Sequence, residues 1–295
     1  MQNKLEVVQR MRNGFFGNSS PKVSFLYKES SITLEDDICR TITIVTDREC
    51  GLNELIRIFL QVNRFCMICD GNFHEISEVR FMSFQIDIDG LGMLDYYKLN
   101  SDFYGNNLLI TRSIDTLSGE LLCRFDCIED ELAYPNNAFM YMTHIGGLPL
   151  DIRTAYITEC FEPLALYVST QRNEDIPREH PNSRQPSLFD CLNYIISLYG
   201  QTLFANEVIS DILSCRTRQI VNNRVQLMHL KNDMGNKQLL DDKERVTYSR
   251  KLHILYRLII LQLVGLNTSS FSDRLTKMAG YWERYLCELE DTHNG

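Results

Sequence analysis

The chain has 295 residues, of which 44% are hydrophobic and 23% are charged. This composition is typical of globular proteins that bury a core, and it excludes a disordered chain. Its longest apolar stretch, residues 254–264, contains Arg257 and Gln262 and is shorter than the about eighteen residues of a membrane span. The formal net charge of -9 argues against nonspecific nucleic-acid binding by the chain as a whole.

Ten cysteines are scattered along the sequence, and the first twelve residues carry charges of both signs without an apolar block. This start does not resemble a secretory signal. We therefore expect reduced thiols and a cytoplasmic location rather than a disulfide framework.

In the first half, apolar residues alternate over 23–27, 40–45, 83–88 and 121–127, which predicts half-buried strands. Glycine- and asparagine-rich stretches, including 90–92, 105–107 and 135–137, predict loops. Between the second and third strands, apolar residues from Leu52 to Met67 recur at helical spacing. Residues 1–150 are therefore predicted to be a β-rich domain with one packed helix, either α+β or sandwich-like.

The second half shows helical spacing instead. The pattern predicts a helix over 157–168, kinked or starting late at Pro163, and a proline-rich loop over 172–186. Ser187 with Asp190 predicts a capped helix, and Asp241 with Glu244 predicts another. Further helices are predicted over 207–229 and 272–289. The predicted fold class is thus α+β, with an all-α helical bundle over residues 151–295 following the β-rich domain.

Positive charge is concentrated in one stretch, residues 216–257, which we call the basic strip. It holds ten Lys and Arg against four acidic residues in an otherwise acidic chain. One interpretation is a solvated helical face, and the other is a binding site for a polyanion.

Arg224 and His229 lie within this strip, separated by four residues. A proline-rich gap and a short helix precede them, and a polar break and a strongly apolar helix follow. This arrangement resembles the R-x4–6-H motif and helix order of the HEPN superfamily of ribonucleases. In overall layout the chain resembles the ApeA-like antiphage proteins, in which a β-rich domain precedes a HEPN domain. This resemblance implies that residues 1–150 are a sensing or regulatory domain.

The resemblance implies a metal-independent endoribonuclease, a toxin-like or antiphage (abortive-infection) effector acting on RNA without a cofactor or metal. Arg224 and His229 would be its catalytic residues. A histidine suits proton transfer during attack of the RNA 2′-hydroxyl on phosphorus, and an arginine suits the phosphate oxygens. The family pairs two motifs in one cleft, which implies a homodimer through the helical domain, and a partner protein could activate or inhibit it. The supporting or RNA-binding residues are Asn222, Asn223, Arg218, Arg216 and Lys231.

The sequence departs from the common family pattern at Val225, where a polar residue usually follows the arginine. Two alternatives therefore stay open. One is a catalytically inactive HEPN-like module that binds RNA or a nucleotide, and the other is a helical oligomerisation scaffold.

Cys66, Cys69 and His74 suggest a metal site, with Cys123 and Cys127 as a second pair. Both cysteine pairs, however, fall in apolar patterns. We therefore expect buried free thiols in place of metal ligands.

Overall fold

The computed structural model describes residues 3–10, 21–88, 111–144, 148–229 and 234–291. They form two compact units. The first comprises the described residues up to Ile128, with 143–144 and Val264–Leu266; the second comprises the remainder. The predicted α+β class is confirmed, because an antiparallel sheet is followed by a mostly helical region. The predicted domain division at residue 150 stays a prediction.

The first unit is built on one antiparallel sheet with the strand order β2-β3-β4-β1-β5-β6. Alternate residues of its strands, such as Leu5 and Val7, are buried on one face, against which α1 packs. Gly71, with φ of 68°, ends α1 in the left-handed conformation. The elements are β1 Asn3–Arg10, β2 Lys22–Tyr27, β3 Ser30–Asp36, β4 Cys39–Thr46, α1 Leu52–Asp70, β5 Glu75–Phe81, β6 Phe84–Ile86, α2 Ser113–Thr116 and α3 Gly119–Glu131.

A buried polar network centred on Asp70 joins α1 to the sheet. The Asp70 carboxylate accepts from Arg40 Nη1 at 2.7 Å, from the Ser113 backbone N–H at 2.8 Å and from Ser113 Oγ at 2.9 Å. His74 Nε2 lies 3.1 Å from the same carboxylate, and Arg40 also binds Asp36 through two nitrogens at 2.6 and 2.7 Å. These side chains are almost wholly buried, so their pairing offsets the cost of removing charge from water.

The second unit is helical. Its helix α5 packs against both α9 and α10, and α6 packs against α7. Its elements are α4 Ala133–His144 (residues 143–144 excepted), α5 Leu150–Glu159, α6 Phe161–Arg172, α7 Leu188–Tyr199, α8 Ala205–Ile209, α9 Leu213–Met228, α10 Asp242–Leu263, a 3-10 turn Thr268–Phe271 and α11 Ser272–Asp291. No described helix is long and apolar enough to cross a membrane.

Several sequence predictions are confirmed here. Ser187 and Asp190 form a reciprocal capping box at the start of α7, and Asp241 with Glu244 does the same before α10. Pro163 lies in the first turn of α6, where a missing N–H costs nothing, so the predicted late start is correct. The predicted single helix over 157–168 is wrong, however, because residues 157–159 belong to α5 and the chain turns at Cys160. The predicted third helix is interrupted, because α8 and α9 are separated at Asp211, which has φ of 56°.

Two predictions about the first half are wrong. Residues 121–127 are helical, within α3, and residues 135–137 lie inside α4. In α3 the buried residues Leu122, Phe125 and Ile128 recur at helical spacing. Cys123 and Cys127 are consequently exposed, contrary to the expected buried thiols, whereas Cys66 and Cys69 are buried as expected. The loops predicted at 90–92 and 105–107 lie outside the described residues.

Candidate functional site

Arg224 lies on the last two turns of α9, and His229 is the residue that follows this helix. His229 has φ of -103° and ψ of 7°, and its backbone N–H donates to the Val225 carbonyl at 3.2 Å. Its imidazole is exposed and makes no hydrogen bond or ion pair with another described residue. The imidazole is therefore accessible to a substrate.

The Arg224 guanidinium is held by a carboxylate that the sequence did not indicate. Its Nε and Nη2 both bind Oε1 of Glu159, the last residue of α5. The side chains are 23% and 18% exposed, and burial lowers the pKa of Arg224, which nevertheless stays charged at neutral pH. Nε and Nη2 form one edge of the guanidinium, and Nη1, on the other edge, makes no hydrogen bond or ion pair with the other described residues.

The two asparagines before Arg224 bind the backbone. Asn222 Nδ2 donates to the Gln238 carbonyl at 3.0 Å, and Asn223 Nδ2 donates to the Gln219 carbonyl at 2.8 Å. Each residue is only 9% exposed. These contacts favour a role in fixing the end of α9 and the following segment over direct contact with a substrate.

The predicted supporting arginines are also paired with acids. Arg216 binds Glu244 and, at 2.9 Å, the Gln219 side-chain oxygen. Arg218 binds Glu179 and stacks on Phe189, with its guanidinium carbon 4.1 Å from the ring centroid. Lys231 lies outside the described residues.

The basic strip is therefore less positive in space than along the sequence. Carboxylates from outside the strip, Glu159, Glu179 and Glu207, each pair with one of its cations. Sequence inspection missed these acids because they come from distant positions in the chain, and no local signal matches them to their partners.

His253 is half-buried, and the centroid of its ring lies 4.6 Å from that of Phe139. Burial, with the nearby cations Arg257 and Arg153, holds the pKa of His253 well below its ordinary value. An imidazole that stays neutral in such surroundings is suited to packing and not to proton transfer near neutral pH.

The two cysteines of α1, Cys66 and Cys69, are buried free thiols. Burial raises the pKa of the Cys66 thiol to about 12. Across the described ranges, no group of three or more His, Cys, Asp and Glu side chains is placed to hold a metal ion.

Comparison with known proteins gave no match for this chain. No protein-family model matches the chain, and neither the curated proteins nor the solved structures gave a match.

Proposed function

We propose that the second unit is a metal-independent endoribonuclease of the HEPN type, acting as a toxin-like or antiphage effector. The observation that carries the proposal is that one helix end bears both an accessible imidazole, His229, and an arginine, Arg224, whose position is fixed by Glu159. Arg224 keeps one guanidinium edge turned away from Glu159, and this edge is suited to bind a phosphate oxygen pair.

The proposed reaction needs no metal. The RNA 2′-oxygen attacks the adjacent phosphorus as a base removes the 2′-hydroxyl proton. The bond to the 5′-oxygen breaks, and that oxygen takes a proton. The products are a 2′,3′-cyclic phosphate and a 5′-hydroxyl. His229 transfers one of these protons, Arg224 stabilises the charge on the phosphate oxygens, and Glu159 positions Arg224.

Each chain supplies one imidazole, that of His229, to the proposed site, whereas the reaction needs two proton transfers. We therefore propose that two copies of the chain form the cleft. Arg224 and His229 are five residues apart, which in a regular helix corresponds to a rise of about 7.5 Å and a rotation of about 140°. Met228, which is 45% exposed next to His229, offers apolar surface for such pairing.

The test is incubation of the purified chain with total RNA in EDTA. We expect cleavage that falls by about 10²–10⁴-fold in His229→Ala and by about 10²–10³-fold in Arg224→Ala. His180→Ala and Arg172→Ala are matched controls, because both residues are exposed in the same unit and neither belongs to the proposed site. Both should cleave at the wild-type rate.

The variant Glu159→Gln distinguishes the positioning of Arg224 by Glu159 from a contribution of Glu159 to substrate binding. It keeps the size of the side chain but removes the charge that fixes Arg224, so kcat should fall more than KM rises. Retention of cleavage in His229→Ala would refute the assignment. Salt-sensitive binding that leaves RNA intact would favour the inactive binding module, for which Val225, half-buried and apolar, is the supporting feature.

A further inference from the structure

A pocket in the second unit lies between the proline-rich loop and helix α7, away from the Arg224 side chain. Its volume is about 340 Å³, within the range of small-molecule sites. Pro177 and Arg178 line it from the loop, while Phe189, Asn193 and Ser197 line it from the helix. These three helix residues are spaced by four, so they lie along one face of α7.

The wall of the pocket is aromatic and held in place. Phe189 and Tyr194, exposed by only 9% and 7%, contribute rings. The guanidinium of Arg218 stacks on Phe189, and the Tyr194 hydroxyl donates to Glu174 at 3.3 Å. These contacts order both rings in the absence of a ligand, so a ligand that packs against their remaining exposed edges does not have to order them.

Most polar groups around the pocket already have partners. The Asp190 carboxylate accepts from the backbone of Glu179 at 2.9 Å and from Ser187, and Glu179 itself binds Arg218. Ser197 Oγ donates to the Tyr194 carbonyl at 2.7 Å. These hydrogen bonds stabilise the pocket, and they leave these groups with little capacity to form further hydrogen bonds to a ligand.

Asn193 differs from these groups. It is half-buried in the pocket lining, and its carboxamide makes no hydrogen bond to the remainder of the described chain. A carboxamide presents one donor and one acceptor side by side, a pattern that pairs with two neighbouring atoms of an adenine edge. Arg178 at the exposed rim supplies a cation for a phosphate.

We propose that this pocket binds an adenine nucleotide, with the base against the aromatic wall, its edge on Asn193 and its phosphate near Arg178. Two sources share this chemistry, a free adenine nucleotide and an adenine within single-stranded RNA. The inference does not depend on the proposed cleavage, because none of the residues that would contact the nucleotide belongs to the Arg224 and His229 site.

The experiment is calorimetric titration of the full chain with AMP, GMP, CMP, UMP and adenosine. AMP should bind most tightly of the four nucleotides. Asn193→Leu should weaken AMP binding by about 5- to 150-fold, the loss expected for one bidentate base contact. Asn182→Leu, the same substitution at an exposed loop position outside the pocket, should leave AMP binding unchanged.

Arg178→Gln removes the rim cation and the hydrogen bond that Arg178 Nη1 donates to the Ser183 carbonyl at 2.5 Å. It should reduce the preference for AMP over adenosine and leave adenosine binding intact. Arg224→Ala should bind AMP like wild type, so loss of cleavage and loss of nucleotide binding are distinguishable. Titration of His229→Ala with pentaadenylate and pentauridylate separates the two sources. Tighter binding of pentaadenylate than of AMP assigns an adenine in RNA, and tighter binding of AMP assigns the free nucleotide.

Three results would overturn the proposal. The first is absence of AMP binding at millimolar concentration, and the second is tighter binding of another nucleotide than of AMP. The third is equal AMP affinity in Asn193→Leu and wild type, once tryptophan fluorescence shows that both proteins are folded.

Discussion

Glu207 and Lys251 form a buried ion pair in the helical unit, with Lys251 Nζ 2.6 Å from Glu207 Oε1 and side chains only 1% and 6% exposed for Lys and Glu. The ammonium group also lies over the rings of Phe204 and Tyr248, 5.2 and 5.6 Å from their centroids. Glu207→Gln would remove the negative charge that Lys251 Nζ contacts in this buried environment. Loss of one partner of a buried pair costs about 3–5 kcal/mol, and we expect the lower end because glutamine keeps an acceptor oxygen.

Urea unfolding followed by the fluorescence of Trp282 measures this cost. Trp282 is the only tryptophan of the sequence, is 1% exposed and belongs to the second unit, so its signal reports that unit. With a slope of about 2 kcal/mol per molar urea, a loss of about 3 kcal/mol lowers the midpoint by about 1.5 M. Glu174→Gln, the same change in an exposed pair with Arg172, should leave the midpoint unchanged.

A double variant tests whether loss of the counter-charge causes the destabilisation. The double variant Glu207→Leu with Lys251→Met removes both charges and should recover most of the lost stability, because a buried pair can often be replaced by apolar groups. If Glu207→Gln unfolds at the same urea concentration as Glu174→Gln, the pair does not stabilise the unit and the reasoning fails.

The remaining predictions concern the first unit. Burial alone would raise the pKa of Asp70, but Arg40 and the hydrogen bonds lower it below its ordinary 3.8, so the carboxylate contributes stability above that pH and loses it as pH falls below. The stability difference between wild type and Asp70→Asn, measured by circular dichroism in urea, should therefore shrink between pH 6 and pH 3; a constant difference would contradict this. Gly119→Ala should destabilise the same unit, because a Cβ there would stand 1.9 Å from the Leu26 carbonyl oxygen. Its control is Gly51→Ala, where nothing lies within 4 Å of the added atom, and equal midpoints for the two variants would refute the steric explanation.

The sequence predicted secondary structure correctly where contacts between residues close in sequence determine it. The capping residues Ser187 and Asp241 act within three residues, and they marked the starts of two helices correctly. The stripe from Leu52 to Met67 predicted α1 because a helix needs only its own periodicity to be recognised.

Prediction from the sequence failed where the same apolar residues fit both strand and helical spacing. It also failed where contacts between residues distant in sequence determine the structure. Leu121 and Phe125 fit alternation as well as helical spacing, and only burial of Leu122 and Ile128 distinguishes the helix. Strands β1, β3 and β5 were missed, since charged residues such as Glu6 dilute their patterns and their partners lie far away in sequence.

The candidate site was predicted only in part. Arg224 and His229 could be named from a motif, and the structure describes both at one end of α9. Glu159 could not be named, because its contact with Arg224 depends on the packing of α5 against α9.

Strand β1 occupies an interior position in the sheet, and this position governs the order in which the first unit can fold. Leu5 pairs with Ile44 of β4 on one side and with Phe81 of β5 on the other, whereas β2 pairs with β3 and β3 with β4, each the next strand along the chain. The β2-β3-β4 meander can therefore assemble early, but the sheet is complete only when residue 86 has emerged and the long loops that join β1 to β4 and β1 to β5 have closed. Until then the edge of β1 that β5 covers in the complete sheet is open, so a nascent chain that stalls before β5 would be a template for aggregation.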